Sequence, residues 1–532
     1  MSAAERRVLV VGAAADHTLA RALRRVRAEH PDAAVDLIVP PHAARWRRAE
    51  RLHRIVVAER GFGLRTEDRR YLAHAGAELA LLVTDGISGR AGRARRLLAG
   101  LPAPRKEIWG PGGAQRFSRA RFLLWELLLI ASRVGSLLIH AVGGLMRVSG
   151  FLWLLRQAAR RRPLPAVHLN PRTGLEETTV LLVSGQGGAS ARYRCQHKAE
   201  QLAGLGLACR QRTVEDYARR PLLMADDAAA CGLAILHRVP HLGPMPALLD
   251  LLGRGRRIAV YDADDLVFVP QLADRTPWPE SVAARARRAA AQAATLARCA
   301  CAMVATEPLA AAVRETGKEA LVLRNCLGED LAELSQIARR LAPPDAPPAV
   351  GYFSGTPTHD RDFAGVARPL AEALSKHPQA QLLLVGPLAV PSELAALGSR
   401  LRHLPFQEWT EVPALLAQLA VNLAPLEPDN PFAAAKSEIK YVEAAAVGVP
   451  TIASPTPAYR GAIRRGDNGL LAGAAEEWRE AIASVLSAPE LRRRLAERAE
   501  HDALDRYHPR AGAQELMGAL HTIIARYSGV ET

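Results

Sequence analysis

The chain has 532 residues, 49% hydrophobic and 23% charged, a size that calls for two or three domains and a composition that excludes a disordered protein. Its net charge of +16 is uneven: residues 1–172 hold 31 Lys+Arg against 13 Asp+Glu, whereas the rest holds 39 against 41. Six cysteines with no Cys-x-x-Cys pair argue against a zinc site and for buried thiols in a reducing compartment, and no aromatic-interleaved basic motif supports a nucleic-acid partner.

The N-terminus runs directly into a strand pattern at Arg7–Val11, so no signal peptide is expected and the chemistry is expected to face the cytoplasm. A helix over 19–30 and strands over 35–39 and 79–84 make residues 1–115 a basic, Rossmann-like module. Residues 116–162 are different in kind. Apolar runs at 122–130, 134–146 and 151–155 are flanked by arginines, and Glu126, Arg133, His140 and Arg147 recur every seven residues as a polar stripe. That stripe suits a helix lying in the headgroup layer of an anionic membrane; a core or oligomer contact and a true span remain open.

Residues 163–179 read as a proline-bearing linker. A second α/β unit follows over 180–342, with strands at 180–183, 233–236 and 258–260. The proline-rich stretch 343–349 is a stiff hinge, and a third unit over 350–532 starts with strands at 350–353 and 382–385 and closes with helices at 476–486 and 490–505.

Ligands of open α/β sheets sit beyond the carboxyl ends of strands. In the third unit those ends offer Gly355, Thr356 and Arg361 for a phosphate, with Gly386 and Phe406 to flank a base. In the second unit they offer Gly187 and Gly188, then Arg192 and Arg194 for an acceptor or its phosphate, and His237 for the reacting centre. Asp262, Asp264 and Asp265 form a rival cluster, because paired carboxylates at a strand end can hold Mg²⁺ or Mn²⁺ under a nucleotide diphosphate.

The most informative stretch is 436–451. Lys436, Lys440 and Glu443 are spaced to share one helix face, and Gly448-Val449-Pro450 ends that helix before a buried strand. Cations at a helix N-terminus suit a diphosphate, and a carboxylate two turns on suits a ribose diol; a solvated salt-bridge ladder is the structural alternative. Glu443 with Gly448-Val449-Pro450, followed by Ile463 through Leu471, resembles the nucleotide-sugar site of family 4 glycosyltransferases.

The family's other carboxylate, eight residues before Glu443 and in contact with the donor sugar, is replaced here by Ala435. The Lys436-Ser437 form that follows resembles a subset of bacterial polysaccharide transferases, and Glu438 is a candidate substitute for the missing group. Over roughly 180–527 the resemblance implies a GT-B pair of Rossmann-like domains, here preceded by the extra N-terminal module and the apolar segment. It implies a retaining glycosyltransferase of cell-surface glycan assembly; the N-terminal strand pattern and the basic, apolar first third lead to the expectation that it is cytoplasmic and peripheral on the inner face of the plasma membrane. A nucleotide-sugar donor would be its substrate, without a cofactor, and a glycan or lipid-linked molecule its acceptor. Lys436, Arg361 and Lys440 would hold phosphates and Glu443 the ribose, with Ser437 also on the donor and His237 near the acceptor or the sugar. A metal-dependent transferase built on Asp264, or a scaffold that has lost turnover, are the competing outcomes.

Overall fold

The structure, a computed structural model, describes residues 178–342 and 347–528, six strands nearer the N-terminus, and residues 169, 175 and 176. The chain separates into two compact units, Met1–Val148 and Ser149–Thr532. In the first, β1 (Arg7–Gly12), β2 (Ala34–Val39), β3 (Arg54–Val57), β4 (Leu79–Val83), β5 (Arg105–Gly110) and β6 (Gly113–Arg116) form one sheet in the order β3-β2-β1-β4-β5-β6. All its pairings are parallel except β5 with β6. The helix expected over 19–30, the apolar segment 122–155 and the prolines Pro343 and Pro344 of the hinge lie outside the described residues.

The second unit holds two six-stranded parallel sheets. The first comprises β7 (Thr179–Ser184), β8 (Cys209–Thr213), β9 (Cys231–His237), β10 (Ile258–Ala263), β11 (Cys301–Val304) and β12 (Ala320–Val322), ordered β12-β11-β10-β9-β7-β8. Strands β9 and β10 are buried at every position, as continuous apolar runs covered on both faces must be, and the polar sequence of β8 fits its place at the edge. The second sheet comprises β13 (Ala349–Phe353), β14 (Gln381–Val385), β15 (Leu401–Leu404), β16 (Val421–Ala424), β17 (Thr451–Ala453) and β18 (Leu470–Leu471), ordered β15-β14-β13-β16-β17-β18. Strand order reverses between β7 and β9 in one sheet and between β13 and β16 in the other. Crevices that accept ligands open at such reversals.

After the helices Ala475–Ser487 and Pro489–Arg506, the last helix, Pro509–Tyr527, leaves the second sheet and covers the first. Its Leu516, Leu520, Ile523 and Ile524 are fully buried in one core with Val180, Leu182, Leu233 and Ile235. Ion pairs Arg324–Glu515 (2.8 Å) and Arg526–Glu319 (2.7 Å) border that contact. Leu169 and Leu175 join the same core, so part of the expected linker belongs to the domain. The leucines are held by hydrophobic burial against a tight spot: a Cβ at Gly232 would lie 2.6 Å from Leu169 Cδ2. The first sheet, in the order 2-1-3-4-5-6, and the second, in the Rossmann order 3-2-1-4-5-6, joined by a returning C-terminal helix, make a GT-B-like pair of α/β halves. No helix among the described residues is long and apolar enough to cross a membrane.

Candidate active site

The stretch 436–451 begins later as a helix than its spacing predicts. Pro431–Ala434 forms a separate short turn capped by the Asn430 side chain, which accepts the Phe432 N–H at 3.0 Å, and the regular helix runs only from Ile439 to Ala446. Lys436 and Ser437 therefore sit in the loop before the helix, with Lys440 and Glu443 on it. Gly448, at φ +69°, closes the helix where a Cβ would strike the Arg339 guanidinium.

Lys436 Nζ lies 3.4 Å from His359 Nδ1 and over the Phe432 ring. The Lys440 ammonium donates to the Phe353 carbonyl at the end of β13 and lies 4.2 Å above the Tyr352 ring; burial and the neighbouring Lys436 bring its pKa down to about 8. His359 is bonded to Asp362 (2.8 Å), and its burial pushes its pKa down to about 4. The candidate substitute Glu438 does not face this site: it is buried and accepts from the Tyr507 hydroxyl at 2.8 Å. Ala435 is also fully buried, its carbonyl accepting from Thr306.

Of the strand-end residues, Gly355 and Thr356 are exposed beyond β13, where the Ser354 hydroxyl donates to the Thr356 carbonyl at 2.6 Å. Gly386 has φ +107°, and a Cβ there would be 1.8 Å from the Ser354 carbonyl oxygen, so only glycine lets the loops after β13 and β14 meet. Phe406, 57% exposed, stands beyond β15. Arg361, on the first turn of the helix Asp360–Ser375, borders a cavity of about 590 Å³ with Glu427, Asn430, Ser454 and Trp478.

The facing wall belongs to the first sheet. A Cβ at Gly185 would come 2.1 Å from the Arg238 carbonyl oxygen, and Gly187 and Gly188 are exposed, the latter at φ +79°. The chain then winds through a π-helical turn, Arg192–Gln196. Arg194, expected on an acceptor phosphate, points inward instead. Fully buried, it makes a forked pair with Asp262 (2.9 and 2.7 Å) and donates to Leu323 O (2.7 Å) and Asn325 Oδ1 (3.1 Å). Lys198 also donates to Asp262, at 2.5 Å. Burial opposes ionisation of Asp262, but Arg194 and Lys198 together hold its carboxyl well below the usual range.

His237 is fully buried, with Nδ1 3.0 Å from Asp262 Oδ1 and Nε2 3.0 Å from Ser190 Oγ. Expected beside the reacting sugar, it reaches the cleft only through the half-buried Ser190, because both ring nitrogens are engaged. Ser190 donates to Asp264 (2.6 Å), and Arg238 spans Asp264 (3.3 Å) and Asp265 (3.1 Å). The rival metal cluster is thus turned toward protein cations and hydroxyls. Among the described residues no group of three or more His, Cys, Asp or Glu is arranged to hold a metal ion.

The two walls touch. Tyr193 OH donates to Glu443 Oε1 at 2.8 Å, Asn325 Nδ2 to Ser437 Oγ at 3.0 Å, and Trp278 meets Phe432 edge-on at 5.2 Å. Burial raises the Asp265 pKa, and Arg238, with a smaller contribution from Lys436 of the other half, opposes that rise. The structure therefore assembles Lys436, Ser437, Lys440 and Glu443 opposite the Ser190–His237–Asp262 chain. Arg361 opens on the adjoining cavity, and Gly386 and Phe406 lie on the far side of β13. Lys198, Arg238 and Asn325 are additions that motif spacing does not single out. The one available signal was Lys198, a rare lysine in an arginine-rich chain.

Residues 361–518 match a family model described as glycosyl transferase-like. With the two sheets and the returning helix, the match is consistent with a GT-B-type glycosyltransferase. No curated protein matches the chain. Similar solved structures include Anabaena HepE in complex with UDP and glucose, at 15% identity over 65% of this chain and 100% of that one, with a TM-score of 0.47. Sucrose-phosphate synthase from Thermosynechococcus elongatus matches at 16% identity over 66% and 100%, also with a TM-score of 0.47. A glycosyltransferase from Rickettsia africae matches at 13% identity over 65% and 99%, again at 0.47.

Proposed function

We propose that the protein transfers a sugar, with retention of configuration, from a nucleotide-diphosphate donor to a glycan or lipid-linked acceptor in cell-surface polysaccharide assembly. The observation that carries this is the convergence of Lys436, Lys440 and Glu443 at the strand-order reversal of one sheet, opposite the Ser190–His237–Asp262 chain at the reversal of the other. Lys436 holds the diphosphate, with Arg361 and the N–H groups at Gly355 and Thr356 adding donors, and Glu443 accepts from the ribose hydroxyls. In the reaction the donor C1–O bond breaks with its electron pair going to the phosphate oxygen, where these cations stabilise it. The acceptor oxygen bonds to C1 and its proton passes to the departing diphosphate. His237, acting through Ser190, is a positioning residue for the acceptor side.

With alanine at 435 and Glu438 held by Tyr507, our candidate for reading donor-sugar hydroxyls is Glu427, half-buried and on the cavity wall with Arg361. The basic N-terminal third, a Rossmann-like module followed by the apolar segment, holds the cleft to the anionic inner face of the plasma membrane.

The test is release of nucleoside diphosphate from a panel of UDP-, GDP- and ADP-sugars. At least one donor is expected to be turned over in the presence of EDTA, and Lys436→Ala or Glu443→Ala should each lower kcat/KM about 10–100-fold, which is roughly 1.4–2.7 kcal/mol. Binding without turnover would establish the scaffold. Loss in EDTA, restored by Mn²⁺ and abolished by Asp264→Asn, would establish the metal-dependent transferase.

A further inference from the structure

Glu443 sits on the donor helix, yet one of its two oxygens is already occupied by the other half of the molecule. The occupant is Tyr193, whose hydroxyl donates to Oε1 at 2.8 Å and whose side chain is 2% exposed. Tyr193 and Arg194 are adjacent in the π-helical turn Arg192–Gln196, lying between the α-helical turn Gly188–Ala191 and the helix His197–Gly204. A π-turn takes in one more residue than an α-turn and shifts the direction of the side chains that follow; such turns concentrate at functional sites. Here the two consecutive side chains reach opposite ends of the donor motif.

Tyr193 reaches Glu443 directly. Arg194 reaches Ser437 through Asn325, donating to Oδ1 at 3.1 Å while Nδ2 donates onward to Ser437 Oγ at 3.0 Å. The remaining guanidinium nitrogens of Arg194 grip Asp262, which in turn holds His237. The Tyr193 ring is itself fixed, edge-on to His197 at 4.6 Å and under the Arg192 guanidinium, which also lies 5.2 Å from the Trp409 ring. Burial and the neighbouring Glu443 carboxylate push the Tyr193 hydroxyl well above its usual range, so it remains a donor.

We propose that Tyr193 is a positioning residue for the nucleotide donor, fixing the Glu443 carboxylate through Oε1 and leaving Oε2 to accept from the vicinal hydroxyls of the ribose. A carboxylate offers about four lone-pair sites on two oxygens, so one phenol does not exhaust it. An unheld glutamate turns freely about its last torsion, and binding a diol would then have to order it. The proposal rests on the reading of Glu443 as the ribose ligand.

The experiment titrates UDP, GDP and ADP into the full chain and compares the tightest of the three with its 2′,3′-dideoxy form, in the unaltered protein, Tyr193→Phe, Glu443→Ala and the double variant. Phenylalanine keeps the ring and its contacts. Tyr193→Phe is expected to weaken the ribonucleotide about 3–10-fold while leaving the dideoxy nucleotide unchanged. The double variant is expected to bind no more weakly than Glu443→Ala alone. An equal loss for both nucleotides would mean general packing damage and overturn the proposal. An unchanged Kd in Tyr193→Phe, with a weakened Kd in Glu443→Ala, overturns it while leaving Glu443 as the ribose ligand. An unchanged Kd in Glu443→Ala, or no binding of any of the three by the unaltered protein, overturns both.

Discussion

His197, the residue directly after the π-helical segment, is buried, with Nδ1 3.1 Å from the Cys326 carbonyl oxygen. Burial pushes its pKa down to about 3, with the Arg192 charge adding to the effect. The folded state therefore refuses a proton that the unfolded chain accepts below about pH 6.5. Stability from this group is complete above that pH and is lost progressively as pH falls toward 3, at up to about 1.4 kcal/mol per pH unit. His359, brought down to about 4, acts in the same direction, and Asp262 extends the loss at still lower pH, where its ion pairs are broken by protonation. Denaturant titrations at pH 7.5 and 5.5 should show lower stability at the acid pH, and His197→Asn, whose amide can still donate to Cys326, should remove about 1 kcal/mol of the difference. Equal pH dependence in the two proteins would show that His197 takes up its proton in the folded state.

At the scale of elements, the helix Pro509–Tyr527 completes the cover of the sheet that contains β7 and β9. Leu520→Ala, at a site buried among Val180, Leu233 and Ile524, should cost about 2–5 kcal/mol in a denaturant titration. A loss below about 1 kcal/mol would mean that the helix rests on the sheet without closing its core. The central strands were legible because a parallel strand covered on both faces must be apolar throughout, as Leu233–Leu236 and Leu382–Val385 are. The late start of the donor helix was not, since Asn430 and Pro431 begin a separate turn that apolar spacing does not reveal. Nor was the inward turn of Arg194, whose partner Asp262 lies 68 residues away and becomes its neighbour only when β10 is in the sheet. Leu169 and Leu175 looked like linker for the same reason: among prolines and polar residues, nothing local marks two leucines as core.

Across the whole molecule, the basic excess of residues 1–172 stands beside a near-neutral remainder. If that third docks on anionic lipid, each basic residue near the surface contributes roughly 1 kcal/mol, and the attraction fades as salt shortens the Debye length. The full chain should sediment with phosphatidylserine vesicles at low salt and release at high salt. Removal of residues 1–165, a cut chosen to spare Leu169 and Leu175, should leave a folded protein that binds nucleotide and stays in the supernatant. Unfolding of the shortened chain, or indifference of the full chain to vesicles at low salt, would make the N-terminal third a structural partner and remove the membrane from the proposal.

The returning helix also sets a schedule. Strand β12, the last of its sheet and ending at Val322, leaves the ribosome long before Pro509 does, by roughly 10–40 s at ordinary synthesis rates. Throughout that interval the face formed by Val180, Leu182, Leu233 and Ile235, covered in part by Leu169, Leu175, Leu202 and Leu207, lacks the cover of Leu516, Leu520, Ile523 and Ile524. For about a third of its translation the nascent protein thus presents an incompletely covered core, and a chain interrupted before residue 509 keeps that exposure as a mark quality control can recognise.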